Sequence, residues 1–137
     1  MKTLDVITIG RSSVDLYGAQ VGGRLEDMAS FQKYVGGSPT NMATGTARLG
    51  LKSALITRVG NEHMGRFILE ELAKEGVRVL AQWPNAAPAA ALLELAQSSS
   101  DLTMHTLALR GGIEVAGQEP DLAKRLSLLQ QALPVRQ

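Results

Sequence analysis

The chain has 137 residues, of which 45% are hydrophobic and 20% are charged, a composition typical of a globular protein with one hydrophobic core. Its net charge of +1 provides no electrostatic attraction to nucleic acid or to a membrane surface, so we expect neither as a partner. The absence of cysteine excludes disulfides, thiolate catalysis and cysteine metal sites.

The N-terminal residues MKTLDVITIG do not form a signal peptide, because their apolar stretch is short, alternates with polar residues and lacks a cleavage site. No segment reaches transmembrane length without charged residues. Together with the lack of cysteine, these features predict a cytoplasmic protein. His63 and His105 lie far apart in the chain with no ligand spacing around them, so we predict no metal site.

The first predicted element is a buried strand over Leu4–Gly10, a short apolar run rich in β-branched residues and closed by glycine. Arg11 and Ser12 follow at its carboxyl end, the edge of an open α/β sheet where ligands bind. The stretch from Asp15 to Phe31 is rich in glycine and polar residues, which predicts an exposed loop or a small hairpin. The Gly10-Arg11-Ser12 sequence after the first strand is not a G-x-G-x-x-G fingerprint, so we expect no dinucleotide site.

The next predicted element is a helix over Thr40–Leu49, where small and apolar residues recur at helical spacing. Ser38 is the expected N-cap, and Pro39 suits the first helical position because no backbone N–H is needed there. Gly50 is a natural stop for this helix.

A second strand is predicted over Ser53–Val59, and a second helix over Met64–Glu75. Gly76 is the expected end of that helix. The order strand, helix, strand, helix predicts βαβ units and an α/β fold with a parallel sheet.

The composition changes after Val77 to a segment rich in Ala, Leu, Gln and Ser. Its predicted elements are a helix over Ala89–Ala96 broken at Ser98–Ser100, a strand or helix over Thr103–Leu109, a turn at Gly111-Gly112 and an amphipathic helix over Pro120–Leu133. The leucine stripe of the last helix, formed by Leu122, Leu126, Leu129 and Leu133, is expected to cover the chain's own sheet. The alternative is that it packs against a partner helix.

The run Gly36-Gly37-Ser38-Pro39-Thr40-Asn41 is the strongest candidate for a binding site. Two adjacent glycines let the backbone approach a ligand closely, and a helix start presents free N–H groups with a positive dipole end. The Asn41 side chain both donates and accepts hydrogen bonds. This set suits a hydroxyl-rich or anionic ligand, although a plain glycine turn with a helix cap explains the six residues equally well.

Read from Gly36 to Gly60, the stretch GGSPTNMATGTARLGLKSALITRVG resembles the first signature of the PfkB (ribokinase-like) carbohydrate kinases. The segments VITIGRSSVDLYG and FQKYVGGSPTN extend this resemblance over residues 1–77. It implies the sugar-binding, N-terminal portion of a ribokinase-like parallel or mixed sheet with flanking helices. Residues 78–137 resemble no family and are expected to form a mainly helical tail.

The resemblance assigns sugar-binding roles to residues in this segment. Asp15 would accept hydrogen bonds from sugar hydroxyls, and Asn41 would bind a hydroxyl or a carboxylate. Gly36 and Gly37 would let backbone N–H groups reach the substrate. Lys33 is a further candidate, for the carboxylate of a sugar acid. Capping or solvation would explain Asp15, Asn41 and Lys33 without a ligand.

Other motifs of the PfkB family are missing from this sequence. The family's catalytic aspartate lies in a Gly-Ala-Gly-Asp loop, and the nearest glycine-rich acidic stretch here ends in Glu114, which does not occupy the matching place. The magnesium-associated Asn-x-x-Glu motif is absent, and Asn61 stands where the family usually has aspartate. ATP and Mg²⁺ are therefore implied only by the resemblance, with no identifiable site, and we identify no catalytic or metal-binding residue.

Three functions are consistent with the sequence. The first is ATP-dependent phosphorylation of a keto-sugar acid, which the resemblance implies. The second is a truncated or frameshifted, non-catalytic fragment that retains part of the sugar site. The third is a binding or assembly module that uses the C-terminal helix. The expected partner is a small sugar acid, and the resemblance also allows a homo-oligomer.

Overall fold

The structure is a computed structural model that describes residues 3–133. The first two residues of the predicted sugar-binding half and the last four of the predicted tail lie outside the described residues. The strands are β1 (Val6–Ile9), β2 (Ser13–Gly18), β3 (Phe31–Gly36) and β4 (Ser53–Ile56). The helices are α1 (Ser38–Arg48), α2 (His63–Ala81), α3 (Ala89–Ser98), α4 (Leu102–Ala116) and α5 (Leu122–Gln131). The chain divides into two compact units, and the boundary between Leu72 and Ala73 falls inside α2.

Strands β1 and β4 of the first unit form a parallel pair connected through α1. Helix α1 packs on one face of this pair, where the Thr8 hydroxyl donates a hydrogen bond of 2.9 Å to the carbonyl of Pro39. The other face carries isoleucines that stay half-exposed or more, at Ile7, Ile9 and Ile56. The predicted parallel α/β arrangement is therefore confirmed, with both strands shorter than predicted.

Strands β2 and β3 form an antiparallel hairpin in which Asp15 lies opposite Tyr34. A single turn of 3₁₀ helix at Leu25–Asp27 lies in the connection between them. Of the two alternatives predicted after Asp15, the hairpin is the one that forms, and it is longer than expected. Strand β3 was not predicted, because its exposed polar and apolar residues become a strand only by pairing with β2.

Helix α1 begins at Ser38, the residue that the sequence predicted as its N-cap. Its N-cap is Gly37 with φ of +100°, and Ser38 and Pro39 are already helical, so the predicted Ser38 N-cap is wrong. A backbone in this conformation favours glycine over any residue with a Cβ. The predicted stop is confirmed, because Gly50 adopts φ of +86° and its N–H donates to the carbonyl of Ala47.

Helix α2 continues five residues beyond Gly76, so the prediction that this glycine ends the helix is wrong. Glycine in a helix interior costs only about 1 kcal/mol relative to alanine. The next residue, Val77, is buried in the hydrophobic core of the second unit, together with Leu92 and Val115. Burial of one such side chain contributes about 1.5–3 kcal/mol, which exceeds the cost of the glycine.

The second unit is helical, as the sequence predicted for the tail. Helix α3 forms where it was expected and ends at Ser98, and the Thr103–Leu109 segment belongs to helix α4. The predicted turn at Gly111-Gly112 is wrong, because both glycines are buried inside α4. A Cβ on Gly112 would lie 2.8 Å from the Leu93 side chain, so the glycines allow α3 and α4 to pack closely.

Helix α5 begins at Leu122, two residues after the predicted start at Pro120. Its N-cap is Asp121, whose side chain accepts hydrogen bonds from the backbone of Ala123 and Lys124. The helix packs against α3 and α4 of its own unit. Leu129 packs on the core, whereas the other members of the predicted stripe are exposed, at Leu122, Leu126 and Leu133.

Candidate sugar-binding cleft

A cleft of about 460 Å³ lies between the β2–β3 hairpin and the first turns of α1. We call it the hairpin cleft. Asp15 and Asn41, which the sequence analysis assigned to a sugar site from separate motifs, both line it. The remaining lining residues are Tyr17, Gly18, Ala19, Val21, Gln32, Tyr34 and Val35. A carboxylate, two amides and two phenols therefore converge on one concave surface, a combination found in small-molecule sites.

Gly36 lies directly beside the Asp15 carboxylate. A Cβ built on Gly36 would overlap the carboxyl group of Asp15. Asp15 is further held by the Ser13 hydroxyl, which donates to its Oδ1 at 3.2 Å. The absence of a side chain at Gly36 is what allows the carboxylate to occupy this position at the cleft.

Gly37 brings the start of α1 against the chain that follows β1. A Cβ at this residue would lie 2.5 Å from the carbonyl oxygen of Arg11, and its φ of +100° disfavours any other residue. The carbonyl of Gly37 accepts the backbone N–H of Asn41 at 2.9 Å, which fixes the first turn and places Asn41 on it. Gly37 thus adopts the positive φ that the sequence pattern predicted, whereas Gly36 is needed for a reason that the pattern did not predict, the approach of the Asp15 carboxylate.

A cluster of hydroxyls, which the sequence analysis did not identify, connects three segments of the first unit. Ser12 Oγ lies 2.7 Å from Thr40 Oγ1 and 3.2 Å from Thr57 Oγ1. The backbone N–H of Ser12 also donates to Thr57 Oγ1 at 3.0 Å, and Thr40 is buried. The chain after β1, the start of α1 and the chain after β4 are joined by these bonds. The sequence signal was the presence of hydroxyl residues at each of these three junctions.

Lys33 lies apart from the hairpin cleft. In the hairpin register it is opposite Leu16, whereas the cleft residue Asp15 is opposite Tyr34, so Lys33 and Tyr34 point to opposite faces. The Lys33 ammonium lies 4.4 Å from the centre of the Phe67 ring, a cation–π contact. The structure therefore brings together Asp15, Gly36 and Asn41, and does not bring Lys33 to them.

The opposite face of the hairpin borders a second cleft, of about 380 Å³, near the start of α2. Glu62 precedes this helix, and its carboxylate accepts the backbone N–H groups of Met64 at 2.8 Å and Gly65 at 2.6 Å. These two hydrogen bonds lower the pKa of Glu62 below its ordinary value. A Cβ on Gly65 would overlap the carbonyl of Gly60, so the turn between them requires a glycine.

The sequence matches the family model for pfkB family carbohydrate kinases over residues 3–128. The chain belongs to this family. The predicted family resemblance is thereby confirmed, and the match continues beyond Val77 into the helical unit. The mixed α/β fold described above is consistent with a PfkB sugar kinase lineage.

Individual relatives match a shorter part of the chain. The 5-dehydro-2-deoxygluconokinases of Geobacillus thermodenitrificans and Bacillus subtilis are 46% and 42% identical over 76 residues, which cover 56% of this chain and 23% of each relative. A sugar kinase from Pyrococcus horikoshii, solved in complex with ATP, is 44% identical, with a TM-score of 0.48 over 52% of this chain and 23% of that one. The chain thus matches 23% of the length of these curated relatives.

The PfkB family implies Mg²⁺ bound with a nucleotide. Among residues 3–133, no group of three or more His, Asp or Glu side chains is placed to bind a metal ion. Gly111 and Gly112 lie within a helix and form no phosphate-binding loop, and Glu114 is exposed on the same helix. No magnesium–nucleotide site is identifiable in the part of the chain that the structure describes. No helix in this part of the chain is long and apolar enough to cross a membrane.

Proposed function

We propose that the hairpin cleft binds a keto-sugar acid of the 5-dehydro-2-deoxygluconate type, and that the chain is the sugar-binding portion of an ATP-dependent kinase. The observation that carries the proposal is the convergence of Asp15 and Asn41 on one cleft, with Gly36 making room for the carboxylate. The substrate class follows from the names of the Geobacillus and Bacillus relatives.

Each polar group has a defined role in this proposal. The Asp15 carboxylate accepts hydrogen bonds from sugar hydroxyls, and such charge-assisted bonds are about twice as strong as neutral ones. The Asn41 amide donates to a hydroxyl or to the substrate carboxylate. The backbone at Gly36 and Gly37 lets the sugar approach the start of α1, where the helix dipole favours an anionic group. Lys33 is not part of the proposed contact set, because it faces Phe67.

Phosphoryl transfer additionally requires a base at the acceptor hydroxyl and a site for the triphosphate with its metal. The family implies ATP as the donor, and we assign neither of these groups to a described residue. What the cleft contributes is orientation of the sugar, which accounts for a large part of the rate enhancement in reactions of this kind.

Isothermal titration calorimetry of the purified chain with 5-dehydro-2-deoxygluconate tests this proposal. We expect saturable binding that Asp15→Asn weakens by about tenfold or more, since a hydrogen bond to a charged group contributes about 1.5–3 kcal/mol. Glu26→Gln is the matched control. Glu26 is an exposed acid in the connection between β2 and β3 of the same hairpin, and it does not line the cleft. Binding unaffected by Asp15→Asn, or no binding by a folded chain, would refute the proposal.

Turnover is tested separately by measuring ATP consumption with the same sugar acid and Mg²⁺. Turnover that is lost in Asp15→Ala would show that the chain, or a second copy of it, completes the kinase site. Binding without turnover would support the sugar-binding fragment.

Self-association through the exposed leucines of α5 remains a prediction, which light scattering of the chain tests.

A further inference from the structure

Two tyrosines form one side of the hairpin cleft. The rings of Tyr17 and Tyr34 meet edge to face, with their centres 5.3 Å apart. Both line the cleft, and their residues are 60% and 49% exposed. We call this pair the tyrosine wall. Since exposed aromatic rings contribute little to a hydrophobic core, their presence in a cleft indicates a surface for a ligand.

The hairpin register holds the tyrosine wall beside the polar groups of the cleft. Tyr34 lies opposite Asp15, and Tyr17 lies opposite Gln32 on the same face. The Tyr34 hydroxyl donates a hydrogen bond of 2.6 Å to Gln32 Oε1, which fixes the ring and leaves the Gln32 amide N–H groups for other acceptors. The cleft therefore presents two apolar ring surfaces next to a carboxylate acceptor and amide donors.

This arrangement suits a ligand with hydroxyls on one side and C–H groups on the other. A ring face offers a hydroxyl no strong hydrogen-bond partner, so a hydroxyl turned toward the wall loses its bonds to water without replacement. A methylene group in the same place loses nothing and gains dispersion contacts with the ring. The wall thus distinguishes a deoxygenated carbon from a hydroxylated one.

We propose that the tyrosine wall packs against the C–H face of the bound sugar acid and selects a substrate with a methylene carbon over the same acid with a hydroxyl there. The inference rests on the proposed function, because it names what the hairpin cleft recognises in its ligand. Tyr17 and Tyr34 act as substrate-contacting, specificity-determining residues, while Asp15 and Asn41 bind the hydroxyls.

Calorimetric titration of the full chain with 5-dehydro-2-deoxygluconate and with its 2-hydroxy counterpart, 5-dehydrogluconate, tests the wall. We expect the deoxy acid to bind about tenfold more tightly, the range typical of discrimination by one small group in an apolar pocket. Tyr17→Leu should weaken binding of the deoxy acid about tenfold and reduce the discrimination, whereas Tyr17→Phe, which keeps the ring, should stay within about twofold. Phe31→Leu is the control, since Phe31 is an exposed aromatic of the same hairpin that does not line the cleft.

Each outcome supports or overturns the inference. Equal binding of the two acids, or Tyr17→Leu binding as tightly as the unaltered chain, would overturn the wall while leaving the sugar-binding proposal standing. An equal loss in Tyr17→Phe and Tyr17→Leu would show that the hydroxyl rather than the ring matters, and would also overturn it. Failure of the unaltered chain to bind either acid would overturn both proposals. If circular dichroism shows that Tyr17→Leu is misfolded, Tyr34→Leu provides the same test.

Discussion

No side chain fits between Gly36 and the carboxylate of Asp15. Their strands pair so that Gly36 lies opposite Ser13, two residues before Asp15 on the same face of the hairpin, and a Cβ on Gly36 would overlap the carboxyl group. Gly36 therefore acts on the cleft indirectly, because its lack of a side chain lets the Asp15 carboxylate occupy its place there. The proposed sugar site depends on this relationship.

Gly36→Ala should therefore impair sugar binding through Asp15. The added methyl group forces the carboxylate out of its position, and we expect the dissociation constant for 5-dehydro-2-deoxygluconate to rise by about tenfold or more. Calorimetric titration measures this change. Gly45→Ala is the control, because a Cβ there meets nothing within 4 Å. Unchanged affinity in Gly36→Ala would show that Asp15 does not contact the sugar.

The two glycines at the end of α1 should respond to alanine in opposite directions. Gly45 lies within the helix in open space, so Gly45→Ala should raise the free energy of unfolding by about 0.5–1 kcal/mol. Gly50 also has open space around it but adopts φ of +86°, which disfavours a residue with a Cβ. Gly50→Ala should therefore lower the free energy of unfolding by about 1–2 kcal/mol. Urea denaturation of both variants checks the pair. Stabilisation by both would contradict the left-handed backbone at Gly50.

Close helix packing in the second unit predicts a cost for Gly111→Ala. A Cβ on this residue would collide with the Cβ of Ala81, and neither group can rotate away. Overpacking of this kind costs about 1–3 kcal/mol. Gly76→Ala is a matched control, because Gly76 is also inside a helix but has no neighbour within 4 Å, and it should be neutral or stabilising. Thermal unfolding of the two variants measures the difference.

Glu62 should make stability depend on acid pH. Its pKa is lowered from 4.5 because the N–H groups of Met64 and Gly65 donate to the ionised carboxylate. The stabilisation is therefore present above the pKa of the unfolded chain and is lost as the pH falls through the lower pKa of the folded chain. Glu62→Gln should have a lower melting temperature than the unaltered chain near neutral pH, and the gap should shrink below pH 4.5. A gap that does not change with pH would contradict this assignment.

The sequence predicted those parts of the fold that depend on local chemistry. Gly50 ends α1 because its conformation is set by neighbouring residues, and the hydrophobic pattern located both parallel strands. The predictions at Gly76 and Gly111 failed because buried contacts made by distant residues outweigh the local preference of glycine to end a helix. Strand β3 was missed for a similar reason, since it forms by pairing with β2.

In the candidate site, too, the sequence predicted the residues of local motifs but not the contacts between distant segments. Asp15 and Asn41 were named from separate motifs, and the structure places both at the hairpin cleft, although their roles remain predictions. The position of Lys33 follows from the alternation of side chains along a strand, which could be applied only once the register with β2 was known. The hydroxyl cluster joins Ser12 and Thr57, which lie 45 positions apart, so the hydroxyl residues at the strand ends indicate a contact only once β1 and β4 are known to pair.

The hydroxyl of Thr40 should stabilise the first unit through this cluster. Thr40 is 2% exposed, and its Oγ1 lies 2.7 Å from Ser12 Oγ. Thr40→Val keeps the shape but leaves the Ser12 hydroxyl without this partner, so we expect a loss of about 1–3 kcal/mol in the free energy of unfolding. Thr40→Ser restores the hydroxyl while removing a methyl group, and should recover the lost hydrogen bond at a cost of about 1 kcal/mol in packing. Urea denaturation compares the two variants. If Thr40→Ser proves less stable than Thr40→Val, the methyl group rather than the hydrogen bond holds the start of α1 in place.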